Sequence, residues 1–285
     1  TEDISTPGGP APGGYAFGSG DEYEFFSSNL TAGLANPEQH EQVFKSEALL
    51  SPEATEGAPY MRNLIAGACE LEPLPSKCYQ ALAFPSPSNV NSGTEFGREV
   101  FFTGATPDGR HAGLRAEVAL TEEAVKLKQS HGLYEWETSG ALQLVSVLPR
   151  EEEKLEEEEA KAKGEEFQQP TELRLGGPGE QNGGIMRNAI STDGSRVVWS
   201  TERGTERLYL RDTVKQETVR LDKPQGLTPV GEPHAVFDAA SADGTKIFFT
   251  DTQRLTPEST EVEGEEEELQ AGQGDLYVCE VPKEE

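Results

Sequence analysis

The sequence predicts an all-β fold assembled from repeated four-stranded antiparallel sheets, and three observations carry that prediction. The stretch 187–222, RNAISTDGSRVVWSTERGTERLYLRDTVKQETVRLD, holds four short β-rich runs with turn residues in every gap. Its Asp193-Gly194 pair is a strong hairpin signal, because glycine tolerates φ > 0 and aspartate bonds its own turn. The pattern then recurs: ISTDGSRVVWST at 190–201 returns as ASADGTKIFFTD at 240–251, and LYLRD at 208–212 as LYVCE at 276–280. The composition agrees, since 285 residues with 34% apolar content carry Gly 30 and Pro 19, the punctuation that many short strands require.

Taken in order, the first copy covers 14–84. Its expected strands are Tyr15-Ala16-Phe17, Tyr23–Ser27, Arg62–Ile65 and Tyr79–Phe84, with Asp21 near the turn position but no glycine after it. Asn29–Tyr60 reads as a long insertion, and Pro85–Gly93 as a linker. The second copy, 100–149, has the Asp108-Gly109 turn, a third strand at Gly132–Trp136 and a fourth at Leu142–Leu148. Thr121 is placed to cap a turn or two of helix over Thr121–Ser130.

An acidic insertion at 150–168 follows. Its residues are strong helix formers with Glu157→Lys161 and Glu159→Lys163 pairs, yet Leu155 alone could be buried. A solvated helix or a disordered excursion is expected. In the third copy, 187–222, the strands are expected at Ala189–Ser191, Arg196–Thr201, Leu208–Leu210 and Thr218–Leu221. The fourth, 235–281, has a Glu-rich loop between its second and third strands, including the run Glu261–Glu268. It lacks a fourth strand unless Glu2–Ser5 supplies one, so the chain reads as cut from a longer array.

These residues resemble the TolB-type repeat, a relative of the WD-repeat β-propeller blade, as found in large actinobacterial propeller proteins. Ser191, Asp193, Gly194, Leu208, Tyr209, Arg220 and Leu221 carry the match, with Ser241, Asp243, Gly244, Leu276 and Tyr277 in the last copy. The resemblance implies a β-propeller of about four recognisable blades, whole or part of a larger ring, with long variable loops. It makes Asp108, Gly109, Asp193, Gly194, Asp243 and Gly244 structural turn residues. Val197, Trp199, Tyr209, Ile247, Phe249 and Tyr277 become core between blades, and the trios Val197-Val198-Trp199 and Ile247-Phe248-Phe249 suit strands buried on both faces. A twisted four-stranded sheet cannot bury both faces alone, and stacking does so. A β-sandwich would show short strands without this in-register repeat.

Cys69 and Cys78 stand nine apart around ELEPLPSK, close enough for a disulfide and without further zinc ligands nearby. The competing reading is two free thiols in a reducing compartment. A disulfide, as in the propeller proteins that place paired cysteines after a third strand, implies an oxidising one. Cys279 is left over.

With 24 Lys+Arg against 52 Asp+Glu, formally −28, a phosphate backbone would be repelled, which excludes nucleic acid as a partner. No apolar run approaches the ~20 residues of a membrane helix.

No catalytic set is legible. The G-x-S-x-G elbow is absent, and His40-Glu41 lacks a second histidine at i+4. Gly176-Gly177-Pro178-Gly179 and Gly183-Gly184 lack the Lys-Ser/Thr of a phosphate loop, and Asn29-Leu30-Thr31 is a chance match to the glycosylation pattern. His111, His131 and His234 are scattered. The expectation is a non-enzymatic extracellular or cell-envelope scaffold binding a protein or glycan, with no cofactor and no metal. The alternative is the propeller module of an enzyme, either glycan-cleaving or gating a serine peptidase.

Overall fold

One five-residue turn organises every sheet. The computed structural model describes residues 23–35, 50–54, 58–70, 75–83, 100–177, 187–201, 206–227, 233–259 and 274–283. In Ser191–Ser195, the Ser191 hydroxyl donates to Asp193 Oδ1 (2.7 Å) and accepts the Arg196 N–H (3.0 Å), while Asp193 Oδ1 accepts the Ser195 N–H (3.2 Å). Gly194 closes the turn at φ 68°, donating to the Ser191 carbonyl at 2.8 Å. Ser241–Thr245 repeats this with distances of 2.6, 3.0 and 3.1 Å and Gly244 at φ 66°. Thr106–Arg110 does so with 2.8, 3.1 and 3.1 Å and Gly109 at φ 72°.

A fourth such turn lies at Ser27–Thr31, where Asn29 replaces the aspartate and Leu30 takes the glycine position at φ 57°. Ser27 Oγ donates to Asn29 Oδ1 (2.9 Å), and Ala32 N–H donates to Ser27 Oγ (2.9 Å). This corrects the first copy. Its turn is not at Asp21, which with Tyr15-Ala16-Phe17 lies outside the described residues. The asparagine of the glycosylation match is the turn's acceptor.

An L-residue at positive φ costs about 1–2 kcal/mol, and Leu30 is 67% exposed, so little burial offsets that strain. Leu30→Gly is expected to stabilise the first unit by about 1 kcal/mol. Urea denaturation checks this, and a variant no more stable than the parent sinks it.

The chain divides into two compact units, Thr1–Gln143 and Leu144–Glu285. In the first, sheet one is β1 (Phe25–Phe26), β2 (Ala32–Ala35), β3 (Tyr60–Asn63) and β4 (Tyr79–Ala81), antiparallel in that order. β2 falls inside the stretch read as an insertion, so Tyr23–Ser27 supplies the first strand of its sheet rather than the second. Sheet two is β5 (Val100–Ala105), β6 (His111–Ala116), β7 (Gly132–Glu137) and β8 (Leu142–Leu144). Between β6 and β7, α1 (Glu122–Lys126) is capped by Thr121, whose Oγ1 accepts the Ala124 N–H at 3.3 Å.

The second unit opens with α2 (Arg150–Lys163). Sheet three is β9 (Leu173–Leu175), β10 (Arg196–Thr201), β11 (Leu208–Asp212) and β12 (Glu217–Arg220), and sheet four is β13 (Val236–Ala240), β14 (Lys246–Asp251) and β15 (Asp275–Glu280). Ala189–Ser191 is not a full strand. It meets β10 at the single bridge Ile190↔Val197, while β9 pairs with Trp199–Thr201, so sheet three begins upstream of residue 187. Gly177 follows β9, and a Cβ there would lie 2.7 Å from the backbone nitrogen of Phe237. A backbone-to-backbone approach of this kind admits glycine alone.

Neighbouring sheets within a unit stack by one rule. The Ser28 N–H donates to the Pro107 carbonyl (2.7 Å) in the first unit, and the Thr192 N–H to the Ala242 carbonyl (2.8 Å) in the second. Gly109 sits against Ala32 and Ser27, and Gly244 against the corresponding Arg196 and Ser191. Val197, Trp199, Tyr209, Ile247 and Phe249 are at most 1% exposed, and Trp199 stacks on Tyr209 with centroids 4.4 Å apart. Tyr277 is half-buried and stacks on Phe249 at 5.6 Å. The trio Ile247-Phe248-Phe249 departs from expectation: Ile247 and Phe249 are buried, while Phe248, on the other face of β14, is 37% exposed.

Candidate functional site

β10 and β14 run away from their turns, so their last residues and the connections that follow gather at the opposite end. There the second unit places a charged network. α2 is a poor packer: no residue on it is buried, and Leu155 is 59% exposed. Pro149 caps its start without a side-chain bond, and Gly164 ends it at φ 77°.

What α2 turns toward sheet three is acidic. Glu152 and Glu156, one turn apart and therefore on one face, meet a cationic patch. Glu156 Oε1 accepts from Arg207 Nη1 at 2.6 Å, and Glu152 Oε2 from the Tyr209 hydroxyl at 3.0 Å. Glu152 also lies 3.7 Å from Arg220 and 4.0 Å from Arg207. The insertion is thus a docked helix held by charge rather than by apolar burial.

Arg220 passes the network inward, donating through Nε and Nη2 to Asp222 at 3.1 and 2.9 Å. Asp222 is 0% exposed and also accepts the Leu208 N–H at 3.1 Å. Asp251, likewise 0% exposed, accepts the Gln253 N–H (2.8 Å) and the His234 N–H (3.3 Å) through Oδ1. Its Oδ2 has no hydrogen-bond partner among the described residues. Burial pushes the Asp251 carboxyl up to about 6, and the nearby Asp222 charge adds to the effect. His234 Nδ1 lies 2.6 Å from Glu206. Burial, reinforced by the Glu152 charge, holds the Tyr209 hydroxyl far above its ordinary range.

Beside α2 lies a cavity of about 340 Å³, lined among others by Glu156, Gln168, Gln169, Thr171, Arg207 and Tyr209. Most of its lining side chains carry hydrogen-bonding groups, which suits recognition of a polar ligand. Among the described residues, no group of three or more His, Cys, Asp or Glu side chains could hold a metal ion.

The residues singled out in the sequence are dispersed. The turn aspartates have depressed carboxyls: hydrogen bonds, first from Ser241, take Asp243 down to about 2. At Asp193, bonds from Lys283, Ser195 and Ser191 outweigh the opposing effect of burial. These groups hold turns and do not line the cavity beside α2. Cys69 and Cys78 are disulfide-bonded, with Cα atoms 5.6 Å apart, and close a loop within the connection between β3 and β4. Cys279 is free, and burial pushes its thiol up, away from reactivity. His111 pairs with Glu135 at 2.6 Å on sheet two, and His40 lies outside the described residues.

Sequence reasoning passed over Arg207, Glu152 and Glu156. The signal was present: two carboxylates at helical i,i+4 spacing, and arginines at 207 and 220 in a chain short of cations.

No protein-family model matches the chain, and comparison with curated proteins found no match. No helix among the described residues is long and apolar enough to cross a membrane.

Proposed function

We propose that the chain is a TolB-type β-propeller region that acts as a non-enzymatic binding scaffold outside the cell or in its envelope, with a protein or glycan as ligand. The observation that carries this reading is the division of each sheet into a constant and a variable end. Four turns of one design close the first end, down to matching hydrogen bonds. At the other end the connections from second to third strand differ in every sheet, from 202–207 to 36–59. Variable loops carried on a rigid scaffold are where binding residues accumulate. The Cys69–Cys78 disulfide supports an oxidising location.

The cavity beside α2 lies near the lower end of the ~300–1,000 Å³ typical of small-molecule sites, which favours one sugar unit or one side chain. A net charge of −28 steers cationic ligands toward the molecule and anionic ones away, and leaves neutral ones unaffected. Screening on a glycan array and against secreted-protein pools tests the reading, with Arg207→Ala as the site variant. The expected result is a retained ligand whose binding weakens in the variant. Failure of the parent protein to retain any ligand in both screens overturns the proposal.

A further inference from the structure

One wall of the cavity belongs to α2, and that wall is held by charge. No residue of the helix is buried, so apolar packing does not fix its position. Glu156 holds Arg207, Glu152 holds the Tyr209 hydroxyl beside Arg220, and Glu153 Oε1 accepts from Gln169 Nε2 at 3.1 Å. The Arg207 and Arg220 charges repel each other, so sheet three needs carboxylates at this place. The Arg207–Glu156 pair keeps 24% and 30% of its side chains exposed, a setting in which ion pairs are modest in strength.

The ends of the helix allow movement. Leu148 and Leu173, 4% and 2% exposed, anchor the chain on either side. Between them, Gly164 ends α2 at φ 77° with no described atom within 4 Å of where a Cβ would stand, and none of 164–172 is buried. A 14-residue helix that buries nothing is marginal by itself in water, so α2 depends on its docking contacts to stay helical.

We propose that α2 is a charge-latched gate: docking of Glu152 and Glu156 on Arg207, Tyr209 and Arg220 assembles the cavity, and release of the helix opens it. This names the regulation of the cavity assigned above as the binding site and rests on that reading for its purpose, while the opening itself is read without ligand. The docked state carries a penalty that opening relieves. Arg207 Nε and Gln169 Oε1, on two residues that line the cavity, are buried without a hydrogen-bond partner among the described residues. Water reaches both atoms once the helix lifts, and supplies the bonds they lack. A ligand that touches Glu156 on the gate and Thr201 on the floor binds the docked state better and shifts the population toward it.

Hydrogen exchange of the full chain, read by mass spectrometry, follows the opening. In the parent, α2 amides are expected to be protected, but to exchange faster than those of the buried strands β10 and β11. The double variant Glu152→Gln/Glu156→Gln is expected to speed exchange in α2 about tenfold, the equivalent of losing two modest ion pairs. Protection in β10 and β11 stays as in the parent and shows that the variant is folded. Glu156→Arg and Arg207→Glu each unlatch the helix alone, and the two together are expected to restore much of its protection, which a loss of helix propensity would not do. Exchange of α2 at the unstructured rate in the parent, indifference of α2 to the double variant, or a charge swap no better than either single change overturns the gate. Those results leave the scaffold reading standing, whereas a parent that retains no ligand in either screen sinks that reading and leaves the latch.

Discussion

His111→Ala is expected to destabilise the first unit by about 3–5 kcal/mol, the usual cost of leaving a buried charge without its partner. Glu135 is 3% exposed at its side chain, His111 12%, and the pair is 2.6 Å long. Glu135 occupies a cross-strand position filled by Met61 and Leu210 in sheets one and three, so its carboxylate stands where the repeat otherwise places an apolar group. The His111 hydrogen bond is what makes that tolerable.

The pH dependence has a definite sign. The bond from Glu135 raises the His111 pKa against the opposing effect of burial, with Glu137 and Asp108 adding to the rise. Burial raises the Glu135 carboxyl despite His111. Both groups hold their protons more tightly folded than unfolded, so each contributes stability at low pH that is lost as pH rises through its folded value. For His111 that contribution is complete below its unfolded pKa of ~6.5. The first unit should weaken above neutrality, and Glu135→Gln should flatten that slope. In a denaturation series against pH, the His111→Ala deficit should shrink in the Glu135→Leu background, where no charge remains to strand. Additive losses in the double variant rule out the pairing as the cause.

Sheets three and four were largely legible because their turns keep both Asp and Gly, whose conformational demands are explicit in the residue types. Sheet one was not. Asn29 and Leu30 perform the same turn, but leucine is a poor advertisement for positive φ, and the second strand Ala-Gly-Leu-Ala lacks the β-branched and aromatic residues that mark strands. β9 was hidden for another reason. It pairs with β10 across an interruption at 176–188, and a three-residue strand carries no readable period. The candidate site was hidden because its contacts are between charges. Apolar periodicity assigned α2 to solvent, correctly for Leu155, and it is silent about Glu152 and Glu156 finding Arg207 and Arg220 some 50 to 70 residues later.

The second unit carries a buried group with the opposite consequence to its turns. The unfolded value of an aspartate is ~3.9, and Asp251 in the fold titrates at about 6, so the folded chain binds an extra proton between the two. Its stability therefore falls as pH rises across that window, by about 3 kcal/mol for a shift of ~2 units. The turn carboxylates Asp193 and Asp243 are depressed, so what they contribute is present above ~4 and lost on acidification. Between these effects the second unit should be most stable near pH 4–5. Asp251→Asn separates them. Asparagine retains an acceptor for the Gln253 and His234 N–H groups, removes the repulsion from Asp222, and cannot titrate. The variant should match the parent near pH 4 and exceed it by up to about 3 kcal/mol at pH 8. Urea midpoints that run parallel for the two proteins across that range refute the assignment. A gain at pH 8 would mean that the chain gives up stability to keep an ionised carboxylate buried between sheets three and four. The Asp251→Asn protein would then show whether that charge, next to Asp222 and the Arg220–Glu152 contact, helps hold α2 over the cavity: ligand affinity measured in the stabilised variant would separate the two roles.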